Sequence, residues 1–160
     1  MSAITFREAG EADGDTLWHI LRPVFRAGDT YAIDTGISRE DALAYWLQER
    51  AWIAEDGDPL GTFYIRENQK GGGAHVCNAG FITAPGAEGR GVARAMLAEA
   101  LNEATALGFH AMQFNFVLET NTRALAIWRR AGFTEIGRQP RAFRTGPRTY
   151  IDALILHKFL

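Results

Sequence analysis

Apolar and polar residues follow two spacings along this chain, one typical of strands and one typical of helices. Residues 4–8 alternate between apolar and polar side chains, which predicts a first strand. Apolar residues then recur at helical spacing over residues 17–25. A second helix is predicted after Ser38, which with Asp41 resembles a capping box. Because Pro23 lies inside the first helical pattern, we expect that helix to kink there or to end early.

The rest of the chain predicts more strands, with helices between the later ones. Asp56 and Gly57 between two apolar runs are typical of a hairpin turn. Gly108 and Gly132 are placed to end two further helices that begin near residues 92 and 122. The predicted strands cover residues 51–55, 60–67, 75–83, 109–117, 134–138 and 150–158. This mixed order predicts one layer of sheet with helices on it, in the α/β or α+β class.

Composition narrows the class of protein. The length of 160 residues predicts one domain over residues 1–160, and 47% hydrophobic with 22% charged residues is ordinary globular composition. A net charge of −2 provides no basic field of the kind that nucleic-acid binding needs. No apolar stretch is long enough to span a bilayer, and no signal peptide is visible. The single cysteine, Cys77, is interpreted as a small buried side chain in a reducing compartment. We therefore expect a cytoplasmic protein.

A glycine-rich turn lies between a predicted strand and a predicted helix, at residues 88–93 (EGRGVA). Glycines let the backbone approach a ligand closely, and the helix that follows begins with unpaired N–H groups and the positive end of its dipole. This arrangement predicts a site for phosphate or pyrophosphate, to which Arg90 and Arg94 could add charge. A tight turn without a ligand is the alternative. A nucleotide P-loop is excluded because Val92 and Ala93 stand where Lys and Ser or Thr are needed.

Read together with two downstream segments, this turn resembles the GNAT superfamily of N-acetyltransferases. The segments are residues 121–128 (NTRALAIW) and 131–133 (AGF). The resemblance implies a mostly antiparallel sheet of about seven strands, splayed between strands four and five, with helices on both faces. It also implies acetyl-CoA as co-substrate. By position, the implied acetyl-CoA-binding residues are Phe81, Ile82, Thr83, Gly89, Arg90, Gly91, Val92, Ala93, Arg94, Asn121 and Trp128.

Asn121 has a second interpretation, and two residues of these motifs, Glu88 and Trp128, depart from the family pattern. Asn121 could serve as a plain helix N-cap, and this role is compatible with cofactor contact. Glu88 replaces the Gln or Arg of the family motif, and we expect it to face solvent or to pair with an arginine. The family's usual Tyr, which can protonate the departing thiolate, is replaced by Trp128. Because an indole has no proton to give near neutral pH, Trp128 is interpreted as packing or as a wall beside the thioester.

A narrower resemblance points to the subgroup that contains the yeast enzyme acetylating proline analogues. It is carried by residues 77–81 (CNAGF), 113–117 (QFNFV) and 150–153 (YIDA). In that subgroup two strand asparagines hold the substrate, and they correspond to Asn78 and Asn115, the candidate catalytic and substrate-binding residues. Two neutral amides on adjacent strands can orient an amino acid. The alternative is an asparagine that binds the backbone where two strands splay.

Tyr31 and Tyr150 are further candidates, as substrate contacts or acids, with a partly buried structural tyrosine as the alternative. The implied reaction is direct attack of a neutral amine on the thioester, with a backbone N–H near Phe81 or Ile82 polarising the carbonyl. An ordered water or a backbone carbonyl is expected to take the ammonium proton. The histidines lack metal-ligand spacing, so no metal is predicted.

The arginine-rich segment 138–148 is interpreted as a solvated loop over the acceptor site, where it could contact a substrate carboxylate. Three functions remain open at this point. The first is an N-acetyltransferase for a small-molecule amine, which a loop at residues 28–36 folding over the site would suit. The second is an acetyl-CoA sensor without turnover, and the third is a protein acetyltransferase acting on an N-terminus or lysine. The resemblance also allows a homodimer.

Overall fold

Seven strands pair into one sheet in the computed structural model, which describes residues 3–160. They are β1 (Thr5–Glu8), β2 (Arg50–Asp56), β3 (Asp58–Glu67), β4 (Val76–Thr83), β5 (Ala111–Leu118), β6 (Thr134–Arg144) and β7 (Tyr150–Phe159). Their order is β1-β2-β3-β4-β5-β7-β6. Only β4 and β5 are parallel among the neighbouring pairs of these described strands, and the others are antiparallel. The predicted mixed sheet is confirmed.

Four α-helices form within residues 3–160: α1 (Gly14–Ala27), α2 (Arg39–Trp46), α3 (Val92–Ala106) and α4 (Thr122–Arg130). Ser38 caps α2 as predicted, because its hydroxyl accepts a hydrogen bond from the Asp41 N–H at 3.0 Å. Of the two alternatives expected at Pro23, a kink or an early end, the early end is wrong, because α1 continues to Ala27. An internal proline costs about 3 kcal/mol, whereas each fully buried large apolar side chain contributes about 1.5–3 kcal/mol. α1 buries such side chains on both sides of Pro23, including Ile20 and Phe25.

The helices cover both faces of the sheet, as two neighbouring residues of β3 show. Successive strand side chains point to opposite faces. A Cβ at Gly61 would lie 2.9 Å from the Met96 sulphur, so this face packs on α3. Thr62 on the other face accepts a hydrogen bond from the Trp46 Nε1–H of α2 at 2.9 Å. The sheet therefore lies between α2 on one side and α3 on the other, as the family resemblance implied.

The sheet splits in its middle. β4 and β5 pair in only three places, Val76–Ala111, Cys77–Met112 and Asn78–Gln113. Beyond Asn78, β4 remains on β3 as far as Thr83, whereas β5 remains on β7. A register shift in β5 between Phe114 and Val117 accompanies the divergence, as expected for a bulge, which bends a strand. The predicted splay is thus present, and it leaves a wedge-shaped gap between two unpaired strand edges.

The arginine-rich segment is largely a strand, so its interpretation as a loop is wrong. β6 continues to Arg144 and pairs with β7. Arg138 is held on the sheet because its Nη1 donates to Glu119 Oε2 at 3.0 Å and to Asp152 Oδ2 at 3.1 Å. The Arg141 N–H is the largest cause that holds the pKa of Asp152 below its usual range, and the hydrogen bond from Arg138 is the second. The Arg138 guanidinium is thus already paired with carboxylates of this chain.

Cys77 is fully buried, and this confirms its interpretation as a core side chain. Burial raises the pKa of its thiol to about 12, so the thiol stays neutral and unreactive at ordinary pH. Within residues 3–160 no group of three or more His, Cys, Asp or Glu side chains could hold a metal ion. In the same part of the chain, no helix is long and apolar enough to cross a membrane.

Candidate active site

A cavity of about 840 Å³ fills the gap between β4 and β5. It runs from the start of α3 to the loop between α1 and α2, and it brings together most of the predicted site. The predicted residues that line it are Tyr31, Asn78, Phe81, Ile82, Thr83, Gly89, Gly91, Val92, Ala93, Arg94, Asn115, Asn121 and Trp128.

Two predicted residues lie outside the cavity. Arg90 turns towards β2, where its Nη2 lies 3.7 Å from Asp56 Oδ2. Tyr150 is 42% exposed at the start of β7, and the Arg141 guanidinium lies 5.0 Å from its ring centre. The assignment of Tyr150 as a substrate contact is therefore wrong, because a solvent-facing arginine and not the cavity is its neighbour.

One end of the cavity is the N-terminus of α3. The first intrahelical hydrogen bond runs from the Ala95 N–H to the Gly91 carbonyl at 3.0 Å. The N–H groups of residues 92–94 donate to no acceptor within residues 3–160, and Gly91 has no side chain to cap them. With φ values of +76° at Gly89 and +78° at Gly91, the turn adopts a conformation that favours glycine. The turn therefore presents free N–H groups at the positive end of a helix dipole.

The charged side chains that line the cavity form a net positive set. They are Arg94 and Glu88 beside the α3 turn, and Arg123 and Arg130 on α4. Arg123 and Arg130 were not predicted; both are on α4, seven residues apart, and this spacing on one helix face was a signal available in the sequence. Glu88 is exposed and forms no ion pair within residues 3–160, which confirms the first of the two expectations for it.

Asn121 both caps α4 and lines the cavity. Its side-chain oxygen accepts a hydrogen bond from the Ala124 N–H at 3.4 Å, which makes it the N-cap of α4. The same residue lines the cavity. The N-cap role and a contact to the cofactor are compatible, because the capping oxygen leaves the Asn121 amide NH₂ free to donate elsewhere.

An aromatic wall and one peptide group define the middle of the cavity. The Trp128 ring centre lies 5.2 Å from that of Phe81 and 5.0 Å from that of Phe114, consistent with the packing role predicted for it. The Phe81 N–H faces the gap, where it donates to the Tyr31 hydroxyl at 3.0 Å. The Ile82 carbonyl instead faces β3, close to Gly61. Of the two N–H groups considered from the sequence, Phe81 therefore provides the one that faces the gap.

The other end of the cavity is built from neutral amides. Asn78 Nδ2 donates to the Gln113 carbonyl at 3.0 Å, and its Oδ1 accepts from the Tyr64 hydroxyl at 3.1 Å. Asn115 Oδ1 accepts from Gln113 Nε2 at 3.0 Å, and its Nδ2 donates to Asn68 Oδ1 at 2.7 Å. Both asparagines are thus oriented through Gln113, and each keeps one N–H and one lone pair for a further partner.

Tyr45 and Tyr64 complete this end of the cavity, and neither was predicted. The Tyr64 ring crosses β4 at Gly80, where any Cβ would overlap it, so this position needs glycine. Burial is the largest cause that raises the pKa of Tyr64 far above its usual range. The guanidinium of Arg66 stacks on the same ring, 3.7 Å from its centre, and 4.6 Å from that of Tyr45. Register between β3 and β4 creates this cluster, so local sequence gave no signal for it.

The loop between α1 and α2 covers the amide end. Residues 30–33 of this loop line the cavity. The loop is tied back to α1 because Arg26 Nη1 donates to the Thr35 carbonyl at 2.6 Å. The Tyr31 ring packs edge-on against Phe25 and Trp46, with ring centres 5.7 and 6.2 Å apart. The predicted folding of loop 28–36 over the site is therefore present.

Comparison with known proteins identifies the family. Residues 15–133, about three quarters of the chain, match the acetyltransferase (GNAT) family. The chain belongs to this family. It is therefore an acetyl-CoA-dependent N-acetyltransferase, with acetyl-CoA as its co-substrate.

Individual relatives agree with this membership. A GCN5-related N-acetyltransferase from Kribbella flavida is 38% identical and superposes with a TM-score of 0.92, over 99% of this chain and 98% of that one. The N-acetyltransferase aca1 of Schizosaccharomyces pombe is 29% identical over 88% of this chain and 77% of its own length. A phosphinothricin acetyltransferase from Sinorhizobium meliloti, in complex with AcCoA, is 22% identical with a TM-score of 0.85, over 100% of this chain and 89% of that one, which shows the shared fold.

The GNAT cavity fits acetyl-CoA by its own geometry. Free N–H groups at residues 92–94, together with Arg94, suit the charge of a pyrophosphate. The unpaired edge of β4 beyond Asn78 suits an amide-containing arm, which can pair with it as a strand would. Phe81 places an N–H beside the aromatic wall, further along the same cavity.

Replacing Gly91 by alanine tests whether the α3 turn binds this co-substrate. At φ +78° an alanine is strained, so stability should fall by about 1–2 kcal/mol, and relief of that strain should shift the backbone that carries the free N–H groups. We expect weaker acetyl-CoA binding in calorimetric titration. Gly86→Ala is a matched control, because Gly86 has φ +82° and does not line the cavity. Equal affinities for the two variants would contradict a binding role for this turn.

Proposed function

We propose that the acceptor is the amine of a small molecule that carries a carboxylate, such as an amino acid. The observation that carries this proposal is the covered end of the cavity. Residues 30–33 fold over it, and its walls include Asn78, Asn115 and two tyrosines. A covered pocket of this kind suits a small ligand better than a polypeptide chain, which needs an open groove.

Charge supports an acceptor with a carboxylate. The acidic residue that lines the cavity, Glu88, is at the opposite end, beside the α3 turn. Arg66 lies behind the Tyr64 ring and forms no ion pair within residues 3–160; its Nη groups donate to the Gln48 amide and the Tyr45 carbonyl. Two unit charges about 8 Å apart interact by about 2 kcal/mol at an effective dielectric constant of 20. The positive charge of Arg66 therefore favours a carboxylate in this part of the cavity and disfavours a polyamine.

The resemblance to the subgroup that acetylates proline analogues supports the same class of acceptor. The resemblance to the yeast enzyme for proline analogues depends on Asn78 and Asn115 standing on adjacent strands, and the structure brings both to one cavity. An amino acid with a proline-like ring is accordingly the first acceptor to examine.

In the reaction, acetyl-CoA supplies the acyl carbon: the amine nitrogen forms a C–N bond, the C–S bond breaks, and the thiolate leaves with the electron pair. The Phe81 N–H is the group we assign to polarising the carbonyl oxygen. Asn78 and Asn115 orient the amine. Tyr31 and Tyr64 remain protonated because burial raises the pKa of each, so neither can serve as a base. An ordered water or a backbone carbonyl takes the ammonium proton, and Trp128 packs beside the leaving group.

Release of CoA thiol from acetyl-CoA tests this function with acceptors in matched pairs. Each pair consists of an amino acid and the amine formally obtained by removing its carboxylate, for example proline and pyrrolidine. We expect the amino acid to be favoured by roughly tenfold or more in kcat/KM, and Arg66→Met to reduce that preference. Equal kcat/KM values for the two members of each pair would refute the proposal that the acceptor carries a carboxylate. Binding of acetyl-CoA without CoA release from any amine or peptide would favour a sensor.

Asn115→Ala tests the amide end separately. Loss of one hydrogen bond to the acceptor should lower acceptor kcat/KM by roughly two- to tenfold, while acetyl-CoA affinity stays unchanged. Asn102→Ala on the exposed side of α3 is the control and should alter neither value. A parallel loss of acetyl-CoA binding in Asn115→Ala would indicate a damaged strand, and unchanged acceptor kinetics would reject the assigned role.

A further inference from the structure

The Tyr31 hydroxyl pairs with both backbone polar groups of Phe81, which face the gap. It accepts from the Phe81 N–H at 3.0 Å and donates to the Phe81 carbonyl at 3.2 Å. A neighbouring strand would satisfy β4 in the same way, with a donor and an acceptor directed at one residue. Beyond Asn78 no strand does so, because β5 has diverged. One side chain from the covering loop therefore substitutes for the missing strand at this residue.

The Tyr31 oxygen also stands where a polarised carbonyl oxygen would stand. An N–H that stabilises developing negative charge lies about 2.7–3.1 Å from the oxygen concerned. The Phe81 N–H is at this distance from the Tyr31 hydroxyl, inside the same cavity that begins at the α3 turn. The aromatic wall of Trp128 lies directly beside Phe81. The phenolic oxygen and the thioester oxygen thus require the same N–H.

The surroundings hold Tyr31 in this place. Gly80 makes room for it, since a Cβ there would lie 3.0 Å from the Tyr31 oxygen. The ring packs edge-on against Phe25 and Trp46. Burial raises the pKa of Tyr31 far above its usual range, so the phenol keeps the proton that it donates to the Phe81 carbonyl. The contact is therefore a packed feature of the fold.

We propose that Tyr31 is a specificity-determining residue that competes with the thioester oxygen for the Phe81 N–H and so sets the discrimination between acetyl-CoA and free CoA. This inference rests on the role assigned to Phe81 in the proposed function. Acetyl-CoA has a thioester carbonyl oxygen that must displace the hydroxyl, whereas free CoA has a thiol in that place and leaves the hydrogen bond intact. Tyr31 therefore weakens acetyl-CoA binding relative to CoA binding. Once the acetyl group has been transferred, the hydroxyl can return to the N–H.

Tyr31→Phe tests the inference through a ratio of two affinities. Dissociation constants for acetyl-CoA and for CoA are measured by calorimetric titration in the wild-type and variant proteins. Removing the competing hydroxyl should tighten acetyl-CoA binding by roughly two- to tenfold and leave CoA binding unchanged. Tyr45→Phe is the matched control: it removes a hydroxyl from the same aromatic cluster that does not touch Phe81, and it should leave the ratio unchanged.

Other outcomes have distinct meanings. Weaker acetyl-CoA binding in Tyr31→Phe would overturn the inference, because the hydroxyl would then be a contact to the thioester. Equal shifts for both ligands would also overturn it and leave Tyr31 with a structural role. Failure of the wild-type protein to bind acetyl-CoA would instead reject the proposed function itself.

A measurement on the wild-type chain serves if Tyr31→Phe does not fold. Hydrogen exchange of residues 28–36 is compared with acetyl-CoA and with CoA at saturation. Displacement of Tyr31 should make this loop exchange faster with acetyl-CoA than with CoA. Equal exchange with the two ligands would contradict the competition.

Discussion

Backbone groups that lack a partner strand are the constraint on which this structure depends. Buried peptide N–H and C=O groups need hydrogen-bond partners. After three paired positions β4 and β5 separate, so the edge of β4 from residue 79 onward must find other partners. The start of α3 adds three further N–H groups without acceptors in the described chain. These unpaired groups converge on one cavity, and a long, polar co-substrate with amides and phosphates can satisfy them.

Charge divides the cavity into two functional ends. Free N–H groups and Arg94 lie at the α3 turn, whereas amides and phenols line the far end. Arg66 stands behind that far end with its charge unpaired within residues 3–160 and its buried Nε without a hydrogen-bond partner there. Under the proposed function, the anionic co-substrate binds at the turn and the small acceptor at the far end. Glu88, the acidic residue that lines the cavity, lies at the turn and not beside the acceptor.

Local sequence was sufficient where a feature is built from consecutive residues. The glycine turn, the Ser38 cap and the N-cap Asn121 each depend on neighbours within a few positions, and all were predicted. Tyr64, Arg66 and Gln113 enter the site only through the register of β3, β4 and β5, which no local pattern specifies. Tyr150 and Arg138 were misplaced for the related reason that their partners on β5, β6 and β7 are distant in sequence. The cytoplasmic location and the homodimer stay predictions, since neither follows from contacts within one chain.

The most direct test of this account is a titration of the ¹⁵N-labelled protein with acetyl-CoA, followed through backbone amide chemical shifts. We expect large shifts of the amide signals of residues 92–94 and Phe81, and a much smaller shift for Ile82, whose backbone groups face β3. Saturation with acetyl-CoA that leaves residues 92–94 and Phe81 unmoved would contradict the claim that unpaired backbone groups hold the co-substrate.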